Sequence, residues 1–355
     1  MRRKPKYITT TAIVGAGITA LADVVLQWSE QKEKGASLTW ENFDGMRTLK
    51  RSVIGGAIGG GLGYLLYEHR LAVESQYPFY SNEFLARLLA EENLRSDPAL
   101  FEKFIFYKSQ VQDWLHDSYA DDLVCPPILA GSFFKRTAIA SNCDLDILLA
   151  FKRHSFSTLD LMYSDVHKKI TDRYSAKATI VKTSRAITLY FDDNGMPIQV
   201  DILPGRETGN FQKDHQLMFH VNPSWIFGDS SWARTNVRMQ KNITVNFPAA
   251  RRIIKLVKLY RDRNGYHLPS VIIEHCVVMA LDGKNCSYSD TVNLLTCMRF
   301  IAKVLQWSWL PDIANNNRNL LDKMSDGDRY YMAEQLESDA ERIETNHRYL
   351  KEIFP

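Results

Sequence analysis

What this 355-residue chain can fold into is limited most by two aspartates, Asp144 and Asp146, one residue apart at the head of the apolar run CDLDILLAF. The alternation at its start is that of a strand, and side chains two apart on a strand point to one face. A third aspartate, Asp201, lies in IQVDILPG, a second strand preceded by the turn Asp192-Asp193-Asn194-Gly195. There Gln199 and Asp201 alternate against Val200 and Ile202, so this carboxylate is one-sided as well. Three carboxylates meeting at one strand edge repel unless cations lie between them. Asp144, Asp146 and Asp201 are therefore the candidate catalytic and metal-binding residues. Hard oxygen donors of this kind suit two Mg²⁺ ions, or Mn²⁺ in their place.

Gly131-Ser132, separated from Asp144 by eleven residues, lies in PPILAGSFF, which reads as a short strand and a turn. Glycine permits a tight turn with its N–H groups facing outward. Those groups and the Ser132 hydroxyl can cradle phosphate oxygens. Transfer of a nucleotidyl group from a triphosphate needs its charge neutralised, a hydroxyl made nucleophilic and pyrophosphate helped to leave, which a metal pair can do. The glycine turn, the strand-borne acidic pair and the later strand-borne acid together point to that chemistry. Lys135 and Arg136 follow the turn directly and read as solvated.

Around this core, residues 81–120 read as helices, opening on a Ser/Asn cap signal in SNEFLARLLAEENL. STLDLMYSDVHKKITDRY is an amphipathic helix, and KATIVKTSRAITLYF supplies further strands. From about residue 212 strand signals fade. AARRIIKLVKLYRDRNG is a long helix with Ile253, Ile254, Val257 and Tyr260 on its apolar face and Gly265 as its stop. VIIEHCVVMAL, NLLTCMRFIAKVL and the charged C-terminal run also look helical.

Residues 8–28 and 52–67 are apolar runs, and Gly55, Gly59 and Gly63 recur every fourth residue of the second. We read these runs as a pair of membrane helices, because so many glycines favour close helix packing in lipid and disfavour a helix in water. The competing readings are a secretory leader ending at Ala20-Leu21-Ala22, a soluble glycine-rich hairpin and a pair lying on the bilayer surface. The basic residues Arg2, Arg3, Lys4, Lys6 and Arg70 would hold the flanks, and the catalytic part with them, in the cytoplasm at the inner membrane. A soluble cytoplasmic chain is the alternative.

Composition excludes several classes. Lys and Arg number 44 against 41 Asp and Glu, and the net charge of +3 is too small for a nucleic-acid-coating protein. The cysteines are odd in number and form no CxxC, so neither a disulfide framework nor a zinc ribbon is expected. No HxH or HxxxH pair, GxSxG, Walker A loop or dinucleotide-binding glycine motif occurs.

The stretch GSFFKRTAIASNCDLDILLAF resembles the signature of polymerase-β-type nucleotidyltransferases. Within them it is similar to the bacterial cGAS/DncV-like nucleotidyltransferases (CD-NTases), the signal synthases of anti-phage systems. Thr137 and Ser141 belong to that likeness. MFHVNPSWIFGDS resembles the family's segment after the catalytic strands, and RRIIKLVKLYRDRNGYHLPSVIIEHCV its helical part.

The resemblance implies an α+β fold: a polymerase-β-like core over 74–211 and an oligoadenylate-synthetase-like helical domain over 212–355, with the apolar hairpin of 1–73 in front. It implies ATP, GTP or other nucleoside triphosphates as substrates, a cyclic or linear oligonucleotide as product, and a separate nucleotide-sensing effector as partner. It matches Lys258 and Ser270 to groups that reach the triphosphate beside Gly131 and Ser132. Against this, Arg251, Lys255 and Lys258 also form the stripe of a solvated helix face. Glu274 reads as a helix-surface or packing residue, and Tyr260 stands where tryptophan is commoner. Tyr190, Phe191 and Tyr266 are possible base stackers, though such aromatics more often lie in cores or on surfaces. Other enzymes of the superfamily modify an RNA end or a protein, and a non-catalytic scaffold is the remaining reading.

Overall fold

The computed structural model describes residues 79–193, 195–220, 232–245, 247–281 and 286–355. The chain divides into two compact units, Met1–Pro78 with Ser287–Val292 and Phe79–Cys286 with Asn293–Pro355, and the carboxylates belong to the second. The apolar runs 8–28 and 52–67, like the Asn-Pro of MFHVNPSWIFGDS, lie outside the described residues. Among the described residues no helix is long and apolar enough to cross a membrane.

In chain order the elements begin with α1 (Phe79–Glu91), α2 (Pro98–Tyr119), β1 (Ile128–Leu129), α3 (Gly131–Lys135), β2 (Asp144–Phe151) and α4 (Leu159–Tyr174). Then come β3 (Thr179–Lys182), β4 (Ile187–Asp193), β5 (Met196–Glu207), α5 (Phe211–Asp214), β6 (Gln216–His220) and β7 (Trp232–Asn236). The helices α6 (Val237–Val245), α7 (Pro248–Arg263), α8 (Ser270–Leu281), α9 (Asp290–Leu305) and α10 (Asp326–Thr345) follow, with the small hairpin β8–β9 (Pro311–Asp312, Asn315–Asn319) before α10. Ser81 is not the cap its sequence suggested, because α1 begins two residues earlier. Asp97 and Thr158 do cap, accepting from Leu100 N at 3.0 Å and Leu161 N at 3.1 Å.

Among the described residues the main sheet has seven strands ordered β1-β2-β5-β4-β3, with β6 added to the far part of β5 and β7 to β6. Strands therefore continue past residue 212, where their signals fade in the sequence. Strands β2 and β5 pair parallel, and α4 with the β3–β4 hairpin makes the crossover a parallel pair requires. On one face of the sheet, Leu145, Ile147, Leu149, Val200 and Ile202 pack against Val111 and Leu115 of α2 and Met162, Val166 and Ile170 of α4. The opposite face carries a smaller cluster of Leu148, Ala150, Leu217, Phe219 and Val237. Asp144 and Asp146 share that second face, since they alternate with Leu145 and Ile147.

In α7 the expected face of Ile253, Ile254, Val257 and Tyr260 is buried, and Gly265 ends the segment at φ +65°. The phenol of Tyr260 donates to Asp339 Oδ2 of α10 at 2.6 Å, and that of Tyr349 donates to Oδ1 at 2.9 Å. One buried carboxylate thus satisfies two phenols and fixes α7 to α10. Asp339→Ala is expected to destabilise the fold by about 2–4 kcal/mol, because both phenols lose their acceptor, whereas Tyr349→Phe should cost about 1 kcal/mol. Denaturant melts read by circular dichroism check the order.

Candidate functional site

The parallel register sets Asp146 opposite Asp201, and Asp144 opposite Gln199. The three carboxylates consequently converge, with ligand oxygens all within 4.8 Å of one another, as the sequence pattern requires of a metal site. Asp201 is held by its neighbours. Thr188, its antiparallel partner on β4, donates to Oδ1 at 2.7 Å, and Gln199 Nε2 donates to Oδ1 at 3.2 Å and Oδ2 at 3.3 Å. Burial pushes the Asp146 carboxyl up to about 7, and the charges of Asp144 and Asp201 push the same way. Burial also raises Asp201, while the Thr188 hydrogen bond opposes it. Such crowded, hard oxygen donors fit Mg²⁺ or Mn²⁺, whose charge would relieve the repulsion.

Facing the triad is the turn into α3. Gly131 has φ +60°, and a Cβ built there would lie 1.5 Å from Asp146 Oδ2. Only glycine allows this approach. Arg136 closes the short helix in the left-handed region at φ 58°, and Ala130 N–H donates to the Asp146 carbonyl at 2.9 Å, so the turn is tied to β2 itself. Ser132 Oγ is buried and meets no hydrogen-bond partner among the described residues. An orphaned buried hydroxyl beside a glycine turn is an observation that fits a phosphate ligand.

Ser132, Asp144 and Asp146 line a cleft of about 370 Å³ together with Lys135, Lys258, Arg261, Ser270 and Glu274. The structure thus gathers all the expected site residues except Asp201 along one cleft, with Asp201 beside it in the triad. Lys258 is not on a solvated stripe, being 4% exposed. Nor is Lys135 solvated, since its ammonium contacts Glu274 Oε2 at 2.5 Å with the side chain 17% exposed. Ser270 Oγ accepts from Arg261 Nη1 at 2.8 Å, which points its own hydrogen elsewhere.

Glu274 corrects the reading of that residue as helix-surface or packing. It is 3% exposed and lies between Lys135 and Lys258. The sequence does hold a signal for it: a carboxylate within SVIIEHCVVMAL must be buried, and a buried charge needs a partner. Burial alone would raise Glu274, but Lys135 and Lys258 outweigh it and hold the carboxyl below its ordinary range. Lys258 moves down through burial, against the pull of Glu274.

A second cleft of about 160 Å³ adjoins the first and shares Gly131, Lys135, Asp146 and Gln240 with it. Its other walls include Arg185, Phe219 and Thr235. Arg185 precedes β4 and escaped the sequence reading, because an arginine in a strand-to-strand turn carries no positional signal. Of the possible stackers, Phe191 is a core residue, packed on Tyr107 with ring centroids 4.4 Å apart, and Tyr266 packs on Tyr260 at 5.2 Å. Tyr190 is 39% exposed and lines neither cleft.

No protein-family model matches the chain, and no curated protein matches it in sequence. Solved structures do. CdnC of E. coli MS115-1, solved with ATP, aligns over 77% of this chain and 97% of its own, with a TM-score of 0.62 at 15% identity. The same CdnC in its complex with HORMA-deltaN gives a TM-score of 0.60 at 14% identity over 79% of this chain and 98% of that one. The fold is that of CdnC. DncV of Vibrio cholerae, a cyclic AMP-GMP synthase and prokaryotic cGAS homolog, aligns with a TM-score of 0.50 at 12% identity over 62% of this chain and 64% of its own. The CdnC-like architecture places the acidic triad and the glycine turn within one compact unit.

Two outcomes follow from the geometry. Gly131→Ala is expected to abolish turnover, since the methyl would occupy the space of the Asp146 carboxylate, and a steady-state assay on folded protein checks this. Asp146→Asn is expected to raise the melting temperature of chelator-treated protein at about pH 8, by about 2–4 °C for each kcal/mol of repulsion removed. The sign follows from a carboxyl raised in the fold to about 7 from 3.8. Its ionisation weighs against folding fully above the folded value and not at all below the unfolded one, so the gain should shrink as pH falls from about 7 to 4. A gain that is constant with pH would contradict it.

Proposed function

We propose that this chain is a divalent-metal-dependent nucleotidyltransferase that joins nucleoside triphosphates into a cyclic or linear oligonucleotide signal with release of pyrophosphate. One observation carries the reading: three converging carboxylates face a glycine turn whose buried serine hydroxyl lacks a partner among the described residues. Asp144, Asp146 and Asp201 would hold two Mg²⁺ ions. Bound there, the metal supplies charge neutralisation on the phosphates and a more acidic attacking hydroxyl.

The chain's own groups do the rest. Outward N–H groups of the Gly131-Ser132 turn and the Ser132 hydroxyl hold phosphate oxygens of the donor in the larger cleft. Lys135 and Lys258 add positive charge there, and Ser270, oriented by Arg261, offers a further donor. Asp201 takes the proton of the attacking hydroxyl: Thr188 saturates Oδ1, which leaves Oδ2 the freer oxygen. The smaller cleft, with Arg185 and Phe219, receives the acceptor nucleotide. Residues 74–211 form the catalytic half of this reading, and residues 212–355 contribute Lys258 and Ser270 from a helical half.

The likeness to CdnC, solved with ATP, and to DncV, a cyclic AMP-GMP synthase, supports triphosphate substrates by analogy between folds; the role in anti-phage signalling with a separate nucleotide-sensing effector is carried by the sequence resemblance alone. The chemistry itself stands on residues between Gly131 and Glu274.

Incubation with labelled triphosphates and Mg²⁺ or Mn²⁺, followed by phosphatase, tests the proposal. A phosphatase-resistant labelled product is expected and means that a phosphodiester has formed; a mass lacking any terminal phosphate or free 3′ end distinguishes the cyclic product from the linear one. Label in added RNA or in protein would move the reading to end-modification, and no turnover with either metal would move it to a scaffold. Asp144→Ala combined with Asp146→Ala is expected to lower turnover by at least about a thousandfold, since among the described residues no other cluster could hold the metals that stabilise the transition state.

A further inference from the structure

We infer that Glu274 is a positioning residue for the donor triphosphate: it draws the ammonium groups of Lys135 and Lys258 together and aims them into one cleft. The inference rests on the triphosphate reading of that cleft. Lys135 comes from α3, four residues after Gly131, and Lys258 from α7, so a single carboxylate on α8 joins two otherwise separate cations.

The geometry divides its oxygens. Oε2 takes Lys135 at 2.5 Å, while Oε1 takes Lys258 and the Thr137 hydroxyl, each at 3.4 Å. Lys258 reaches the Thr137 carbonyl and hydroxyl at 3.4 Å too. These are long contacts, and a phosphate oxygen at ordinary hydrogen-bond distance would compete well for the same protons. An ammonium carries three donors, so each lysine can keep Glu274 and still face phosphate. Two cations against one anion leave a surplus positive charge opposite the acidic triad.

A purely structural role explains the arrangement poorly. An apolar side chain at 274 would suit the buried face of α8, and buried ion pairs add little stability over apolar packing. Without the carboxylate, however, the buried ammonium of Lys258 would face that of Lys135 with no counter-charge between them, and Lys258 would shed its proton more readily. The charged and titratable groups around Lys258 are Glu274 of α8, Lys135 of α3, Cys143 just before β2, Asp146 of β2, and Lys255 and Arg261 of its own helix, with His275 of α8 lining the same cleft. Of these, Glu274 is the acid its ammonium contacts.

The test is calorimetric titration of full-length protein with inorganic tripolyphosphate and Mg²⁺, a probe that needs no knowledge of the base, from about pH 6 to about pH 9, beside thermal melts. Wild-type protein is expected to bind across the range. Glu274→Gln is expected to bind within about threefold of wild type at the acid end and to lose about tenfold more than wild type toward the alkaline end, as a lysine deprotonates. Failure of wild type to bind at all would sink the triphosphate reading instead. Binding by wild type with a parallel pH profile in Glu274→Gln, whatever the melting temperature, overturns the positioning role. Should Glu274→Gln not fold, Glu274→Asp decides: it keeps the charge but withdraws it by one methylene. It is expected to weaken binding by about three- to tenfold with the wild-type pH profile, and unchanged affinity there refutes the role.

Discussion

Everything chemical in this fold depends on the parallel pairing of β2 with β5. The register that sets Asp146 against Asp201 also sets Ile147 against Ile202, so one arrangement serves both the site and the core. A slip of one residue would send Asp201 into the apolar layer under α2 and α4 and bring Ile202 to the metal face. The hydrophobic core therefore enforces the alignment of the carboxylates, whose mutual repulsion would otherwise drive them apart. Thr188 and Gln199 are the local concession to that repulsion, since both donate to Asp201.

The parts legible in sequence were those governed by short periods. Alternation by two residues placed Asp144, Asp146 and Asp201 on one face, and glycine beside serine marked a turn that only glycine can make so close to Asp146. Lys258 and Ser270 were reached through resemblance, and both line the cleft. What escaped depends on contacts distant in sequence. Glu274 meets Lys135 across 139 positions, and no pattern within α8 names that partner. Helical spacing made Lys258 look solvated because its stripe has the period of an exposed face, while its actual neighbour is another buried charge. Strands β6 and β7 were missed for a related reason: QLMFH and WARTN are short and owe their conformation to pairing with β5 and with each other.

The site is electrostatically two-walled. Three carboxylates stand on the sheet, and two ammonium groups with one carboxylate stand across the cleft. Neither wall is complete by itself. The acidic wall carries a repulsion that cations would relieve, and the basic wall leaves Ser132 Oγ without a partner among the described residues and Lys258 only loosely bonded. A metal-bound triphosphate is the kind of ligand that satisfies both at once, presenting cations to one side and oxyanions to the other. Binding of metal and of nucleotide should consequently be coupled, because each removes a penalty that weakens the other. On this view Glu274 has a definite place. It keeps the basic wall charged in the absence of ligand, so that the incoming phosphates meet cations already formed and fixed instead of having to create them by drawing protons into a buried site.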